Sequence, residues 1–458
     1  VSELPINEVV CGDAVELMRG LPSGSIHAIV TDPPYGLEFM GEEWDKFKAD
    51  GSWNKRGENW HKKFGKSAYG RILDKAPVNW AKAGIPYQQW TTAWAREALR
   101  VLLPGASMLA MGGTRTHHRM ACGIEDAGFE IKDTILWCYN SGFPKAQNLG
   151  KMIDKRLGAE REVIRLKQHS DNFERAKLNK IGYLRDPANK NNTKCFGYGV
   201  EKITLPSTED ARKWDGWKVG GLKPSYEPIV WAVKPPEGPY TENVLKHGVG
   251  GINVDACRIP YESEDDKESA RFGHGGLSSK ISPCYHQRPE WDMGKNYLTS
   301  QQGRYPANMV RTDRFGDGYD RFYFVPKADR AERDEGLDGM PQSEIEHSVF
   351  DRCAKCGGLI INKGKRPSGC TCDIPTRVGN KLKNIHPTVK PVCLMEHLIK
   401  LVTREGQIVL DPFVGSGTTC IAARNLLRCY IGIDNNAEYC EIAKRRLAAI
   451  PQPLEAYA

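Results

Sequence analysis

Gly406-Gln-Ile-Val-Leu-Asp-Pro-Phe-Val-Gly-Ser-Gly-Thr-Thr419 reads as a short apolar strand that runs into a glycine-rich turn. An Ala/Leu-rich stretch, Cys420 to Leu427, follows and reads as a helix. A second apolar run, Cys429 to Ile433, ends in Asp434, and a further helix reaches about Ala449. Strand, Gly loop, helix, strand and acid in that order form the first half of a nucleotide-binding crossover unit. At the other end of the chain, Ile26 to Val30 reads as a strand entering Thr31-Asp-Pro-Pro-Tyr35. A helix (Trp90 to Arg100), a strand (Ser107 to Met111), a helix (Thr116 to Ala127) and a strand (Ile131 to Tyr139) come next. Tyr226 to Lys234 is a strand again, and Phe322 to Val325 reads as a short one. Strands alternating with helices imply an α/β fold with a parallel sheet covered on both faces.

The two turns carry the chemistry. The segment Asp411-Pro-Phe-Val-Gly-Ser-Gly417 is neither a G-x-G-x-x-G fingerprint nor a P-loop, which needs a Lys at its end. Its glycines let the backbone approach a ligand and present amides at a helix N-terminus, which suits an anionic group such as a carboxylate. Asp434, at the tip of the next strand, is placed to accept hydrogen bonds from the two hydroxyls of a ribose. The competing reading is a purely structural glycine turn. In Asp32-Pro-Pro-Tyr35 the two prolines fix the backbone and remove two donors, so the Pro33 carbonyl is open to accept. Asp32 adds a carboxylate and Tyr35 a flat π-face. Together they suit a planar amino group, held by its two hydrogens with its ring stacked. Such an amine is a weak nucleophile, and two acceptors let its nitrogen pyramidalise and direct its lone pair at an electrophile.

The chain has 458 residues, 40% hydrophobic with eleven Trp, so roughly two to three domain-sized units with a sizeable core are expected. A disordered chain or a disulfide scaffold is excluded. No apolar run approaches the roughly 18 residues of a membrane span. Val1 to Met18 shows neither a basic n-region nor an apolar h-region, and with fourteen scattered Cys a reduced, cytoplasmic setting is expected. The net charge of +8 is concentrated: Lys145 to Lys223 holds 18 Lys/Arg against 10 Asp/Glu, while the rest is balanced at 47 each. A basic block inside a neutral frame points to a polyanion partner or, more blandly, to a solvated Lys-rich face.

The conjunction of Asp-Pro-Pro-Tyr at 32–35, Asp-Pro-Phe-Val-Gly-Ser-Gly-Thr-Thr at 411–419 and His386-Pro-Thr-Val-Lys-Pro391 resembles the S-adenosylmethionine-dependent DNA amino-methyltransferases, which act on N6 of adenine or N4 of cytosine. Catalytic motif first and cofactor loop last is similar to the β-class, prophage-like permutation. The resemblance covers about 1–145, 222–235 and 384–450. It implies a circularly permuted, Rossmann-like methyltransferase sheet, with strand Cys429 to Asp434 continuing into Val9 to Asp13. It also implies a division into a catalytic half (1–145), a basic DNA-contacting insertion (146–221), a returning core strand (222–235), a target-recognition region (236–383) and a cofactor-binding half (384–458). By resemblance, Asp32, Pro33, Pro34 and Tyr35 are catalytic. Asp411, Pro412, Phe413, Gly415, Ser416, Gly417 and Thr418 form the S-adenosylmethionine loop. Thr388 and Lys390 lie near the methionine carboxylate, Asp434 with Asn435 meets the ribose, and Asp13 the adenine. The implied partner is double-stranded DNA with the target base flipped out, and a cognate restriction enzyme is a further expectation. Adenine is preferred because the tetrapeptide begins with Asp; N4-cytosine and a catalytically silent DNA-binding homologue are the alternatives. Methylation of RNA or of a protein glutamine is disfavoured by the same Asp.

Outside these motifs, Cys353-x2-Cys356 and Cys370-x-Cys372 could hold one tetrahedral structural Zn2+ in a knuckle at 353–372, or be four free thiols. The Trp/Lys-rich stretch 41–84 reads as a long loop after the Pro-Pro turn, placed to close over the site. His117-His118 reads as a solvated helix start rather than a metal site. Trp214 and Trp217 read as core packing in preference to base stacking. Lys151, Arg161 and Lys177 are the basic residues expected to read phosphates.

Overall fold

The computed structural model describes residues 4–36, 80–139, 145–167, 201–261, 303–311 and 388–450, with shorter runs at 263–264, 267, 328, 330–338, 340, 343–344, 351–353, 359–360, 377–378, 381–382 and 384–386. Its main strands in chain order are β1 (Glu8–Cys11), β2 (Ile26–Thr31), β3 (Leu102–Met111), β4 (Glu130–Cys138), β5 (Lys145–Asn148), β6 (Val163–Lys167), β7 (Glu201–Thr204), β8 (Lys218–Gly221), β9 (Tyr226–Val233), β10 (Met309–Arg311), β11 (Ile408–Asp411) and β12 (Cys429–Asp434). The helices are α1 (Ala14–Gly20), α2 (Trp80–Val101), α3 (His117–Asp126), α4 (Leu149–Arg156), α5 (Glu209–Lys213), α6 (Tyr240–His247), α7 (Arg330–Asp334), α8 (Val392–Val402), α9 (Thr418–Asn425) and α10 (Ala437–Ala449). Eight strands form one sheet in the order β1-β12-β11-β2-β3-β9-β4-β10.

Alternation along the strands explains why both faces are covered. Ala28 and Val30 pack with Leu109, Met111 and the buried faces of α8, α9 and α10. Ile29, Met108 and Ala110 point the other way, into α1, α2 and α3, and a register irregularity between Ile26 and Ala28 turns Ile26 to that side too. The permutation expected from the sequence is present: β1 pairs parallel with β12, Val9 opposite Gly432 and Cys11 opposite Asp434. Crossovers run outward in opposite directions from the adjacent pair β11 and β2, which makes their carboxyl ends a topological switch point. Open α/β sheets bind ligands in that crevice.

The sheet departs from the expected all-parallel arrangement at one strand. β9 is antiparallel to both β3 and β4. A parallel neighbour needs a covering crossover, whereas an antiparallel one needs only a return of the chain. Here the return is the basic insertion itself. Cys138 pairs with Tyr226, and the Tyr139 amide donates to the Ser225 carbonyl at 2.7 Å, so everything between is the loop of one long hairpin. The loop continues as nested antiparallel ladders, β5 with β8 and β6 with β7.

Three further expectations are modified. The second helix begins at Trp80 rather than Trp90. The helix runs through Gly84 and Pro86, and Tyr87, Trp90 and Trp94 bury their rings on the sheet face. It therefore takes in the end of the stretch expected to be a loop; 41–79 lies outside the described residues, as does Phe322 to Val325. Trp214 and Trp217 are not core: they are 42% and 61% exposed and pack on one another edge to face, 5.3 Å between ring centroids. Arg161 is spent internally, since its guanidinium pairs with the fully buried Asp154 and donates to Thr204. Asp154 also accepts from the Ser207 and Thr208 amides and the Thr208 hydroxyl. Burial would raise its carboxyl, but these donors overcome that and hold it well below the usual carboxylate range. Asp154 thus clamps α4 to the start of α5, with Arg161 tying both to Thr204 of β7. His117 and His118 begin α3 as expected, and Lys177 lies outside the described residues.

Candidate active site

β2 and β11 end side by side, and their turns meet. The Thr31 hydroxyl donates to Asp411 Oδ1 at 2.7 Å, and the Thr419 hydroxyl donates to Asp411 Oδ2 at 2.5 Å. The Phe413 amide donates to Oδ1 at 3.0 Å. Burial pushes the Asp411 carboxyl up to about 6, against these three hydrogen bonds. Asp411 is therefore a brace that ties the glycine turn to the catalytic turn.

The glycine turn is shaped from below. Gly415 has φ +51°, and a Cβ there would lie 2.6 Å from Nε2 of His386. Gly417 has φ +86° and N-caps α9 against Ala443. Burial, with the cations Lys390, Arg333 and Arg446 around it, pushes the His386 imidazole down to about 3, so it is a neutral wedge. The buried Arg446 of α10 donates to the Ser416 carbonyl at 2.7 Å and to the Thr418 hydroxyl at 3.2 Å, propping the loop. Asp434 accepts from the Gly415 amide at 3.0 Å and from the Asn436 amide at 2.8 Å. Asp13 caps α1, accepting from the Val15 and Glu16 amides through Oδ1.

On the catalytic side, the Tyr35 hydroxyl lies 2.7 Å from Asp32 Oδ1 and 2.9 Å from Glu227 Oε2. Lys390 closes the group: its ammonium pairs with Asp32, lies 3.5 Å from Glu227 Oε2 and sits over the Tyr35 ring, 5.6 Å from the centroid. Burial alone would depress Lys390, but the carboxylates of Asp32 and Glu227 raise it, so it stays an ammonium. Burial and the same two carboxylates push the Tyr35 phenol well above its ordinary value, so it stays neutral.

These groups line one cavity of about 1100 Å3. Asp13, Asp32, Pro33, Pro34, Tyr35, Thr388, Lys390, Asp411, Pro412, Phe413, Gly415, Ser416, Thr418, Asp434 and Asn435 all border it. Gly417 sits behind them as the helix cap. Lys390, expected beside a methionine carboxylate, has its ammonium on Asp32. Several lining residues were not anticipated. Glu227, Trp137 and Tyr139 enter from the β4/β9 hairpin, and Trp90, His386 and Tyr439 close the sides. The signal for Glu227 was a lone acid near the start of the otherwise apolar Tyr226–Val233. Among the described residues no group of three or more His, Cys, Asp and Glu could hold a metal ion. Cys353 ends a short strand, and Cys356, Cys370 and Cys372 lie outside the described residues.

Fold and site together define a class: an open α/β sheet whose glycine turn and Asp-Pro-Pro-Tyr turn meet at one switch-point cavity. The N6/N4 methyltransferase family model, described as DNA methylase, matches residues 26–445, and the chain belongs to this family of S-adenosylmethionine-dependent DNA methyltransferases. Type II methyltransferase M.HindIII of Haemophilus influenzae is 25% identical over 439 residues, 95% of this chain and 93% of that protein. Type II methyltransferase M.ScaI of Streptomyces caespitosus is 40% identical over 170 residues, 36% of this chain and 55% of its own length. Among solved structures, PvuII DNA methyltransferase, described as cytosine-N4-specific, superposes with a TM-score of 0.41 at 13% identity, covering 97% of this chain and 87% of that one. Among the described residues no helix is long and apolar enough to cross a membrane.

Proposed function

We propose that this chain methylates N6 of adenine at a specific DNA sequence, taking the target base out of the duplex into the cavity beside Asp32. The observation that carries the reading is the junction of the acceptor turn and the glycine turn through Thr31 and Asp411. The cradle fits the cofactor. The backbone amides at the start of α9 suit a carboxylate, and Asp434 stands at the tip of β12. Gly415, Ser416, Gly417 and Thr418 would hold the amino-acid end with Thr388, while Lys390 stays on Asp32. Asp434 and Asn435 would hold the ribose, and the second oxygen of Asp13 would meet the adenine. When bound, S-adenosylmethionine supplies an electrophilic methyl group on a sulfonium sulfur.

Asp32 and the Pro33 carbonyl would accept the two hydrogens of the target amine, while Pro34 keeps the turn rigid and the Tyr35 ring stacks on the base. Orientation and electrostatics supply most of the rate gain in such a site. Flipping the base costs a few kcal/mol, and the exposed basic residues of α4 on the insertion would offset part of it through phosphate contacts. The Asp at the head of the tetrapeptide supports adenine over cytosine. The insertion and 236–383 would read the sequence, and a cognate restriction enzyme is proposed by likeness to type II relatives. The Cys353–Cys372 knuckle is proposed to bind one structural zinc, which elemental analysis of the purified protein checks. Modified-base sequencing of DNA from cells expressing the protein tests the main reading, with Asp32→Ala as control. N6-methyladenine at one motif, absent in the variant, is the expected result; N4-methylcytosine or unmodified DNA would refute it.

A further inference from the structure

The phenol of Tyr35 is ringed by three charged groups: two carboxylates, Asp32 and Glu227, and one ammonium, Lys390. Their side chains are 18%, 21% and 9% exposed, so solvent screens them weakly. Asp32 and Lys390 alone would be neutral. Glu227, brought in by the antiparallel strand β9 and also bonded to the Tyr139 hydroxyl, leaves one negative charge in excess. A partly buried excess charge is a standing demand for a cation.

We infer that Glu227 sets the charge of the acceptor site and thereby its preference for the sulfonium cofactor over the neutral thioether product. The inference rests on the methyl-transfer reading, which supplies the two ligands. An amine held by Asp32 must also come within reacting distance of the methyl group, so the sulfonium charge lies within roughly 8 Å of Asp32. Glu227 reaches the same hydroxyl as Asp32 and is therefore only slightly farther away. One unit charge over about 10 Å at an effective dielectric near 20 changes an equilibrium by about tenfold. The thioether feels none of it. The glycine turn and Asp434 would meet parts common to both ligands, so a change of charge made at Glu227 alone reads out in their affinity ratio.

The test is calorimetric binding of S-adenosylmethionine and S-adenosylhomocysteine to the full chain, without DNA. Glu227→Gln should move the affinity ratio about tenfold toward the thioether, whereas Glu227→Asp, which keeps the charge, should stay within about twofold of the parent. Lys390→Gln should move the ratio the opposite way, because it removes the compensating cation, and this arm holds even if Glu227→Gln does not fold. A Glu227→Gln protein that binds both ligands at the parental ratio overturns the inference, as does a Lys390→Gln ratio that is unchanged or moves toward the thioether. A parent that binds neither ligand overturns the methyl-transfer reading itself.

Discussion

Gly415→Ala is a sharp probe of how the glycine turn is built. Two separate penalties fall on the added methyl group. The backbone there is left-handed, φ +51°, which costs a non-glycine residue about 1–2 kcal/mol. The new Cβ would also lie 2.6 Å from His386 Nε2, with Cε1 and Cδ2 at 3.1 and 3.2 Å. His386 cannot retreat easily, because its ring packs edge to face on Tyr439 with centroids 4.6 Å apart. Overpacking of that kind typically costs about 1–3 kcal/mol. The single substitution is therefore expected to destabilise the domain by roughly 2–5 kcal/mol, with weaker cofactor affinity as the turn shifts. Adding His386→Ala removes the collision but not the backbone penalty. Denaturant titration followed by tryptophan fluorescence on the four proteins of the cycle should give a favourable coupling of about 1–3 kcal/mol. Additivity within about 0.5 kcal/mol would refute the reasoning, for it would mean that the imidazole does not shape the turn.

Other outcomes follow from the same network. The Asp411 carboxyl titrates near 6 in the folded protein, against an ordinary 3.8. Between those values the folded state holds more protons than the unfolded chain, so stability falls as pH rises through that window, by about 3 kcal/mol at most. Asp411→Asn should flatten this slope, and parallel denaturation curves at several pH values would show it. In the insertion, Arg161 and α4 separate folding from binding. Arg161→Glu should speed limited proteolysis within the insertion while leaving the melting of the sheet unchanged. Lys151→Glu with Lys155→Glu should leave the digestion pattern intact, weaken DNA binding and reduce its salt slope by about 0.9 for each phosphate no longer neutralised.

Local pattern made part of this architecture legible and hid the rest. The run from β11 through α9 to Asp434 is a strand–turn–helix–strand sequence whose parts are neighbours in the chain, so periodicity and glycine chemistry reveal it directly. The permutation was legible through the resemblance to the β-class methyltransferases, which implies that β1 and β2 follow β12 in one circular order. The direction of β9 could not be read, since Tyr226–Val233 is equally apolar either way round. Only the pairing of Cys138 with Tyr226 decides it. Glu227 and Arg446 escaped for a related reason. Each reaches the site from an element, a strand and a helix, that looks ordinary by itself. Trp214 and Trp217 misled the reading because aromatic residues are usually buried, and that expectation assumes a lobe thick enough to enclose them.

The antiparallel strand does more than close the sheet. In the parallel strands, residues at the carboxyl end face the ligand crevice. In β9 the residues at the start do so, because Tyr226 pairs with the end of β4. Glu227 thus stands in the acceptor site while the chain just before it, Gly221 to Ser225, forms the cavity rim and joins the insertion. The insertion is rooted in the two strand ends that bear Trp137, Tyr139 and Glu227, and β5 with β8 extends that root outward as a ladder. A load on the insertion is therefore carried into the hairpin that positions Glu227. Because Glu227 stands on the same hairpin from which the insertion springs, the covalent chain and the β4/β9 ladder join the two directly, with no separate relay element between them.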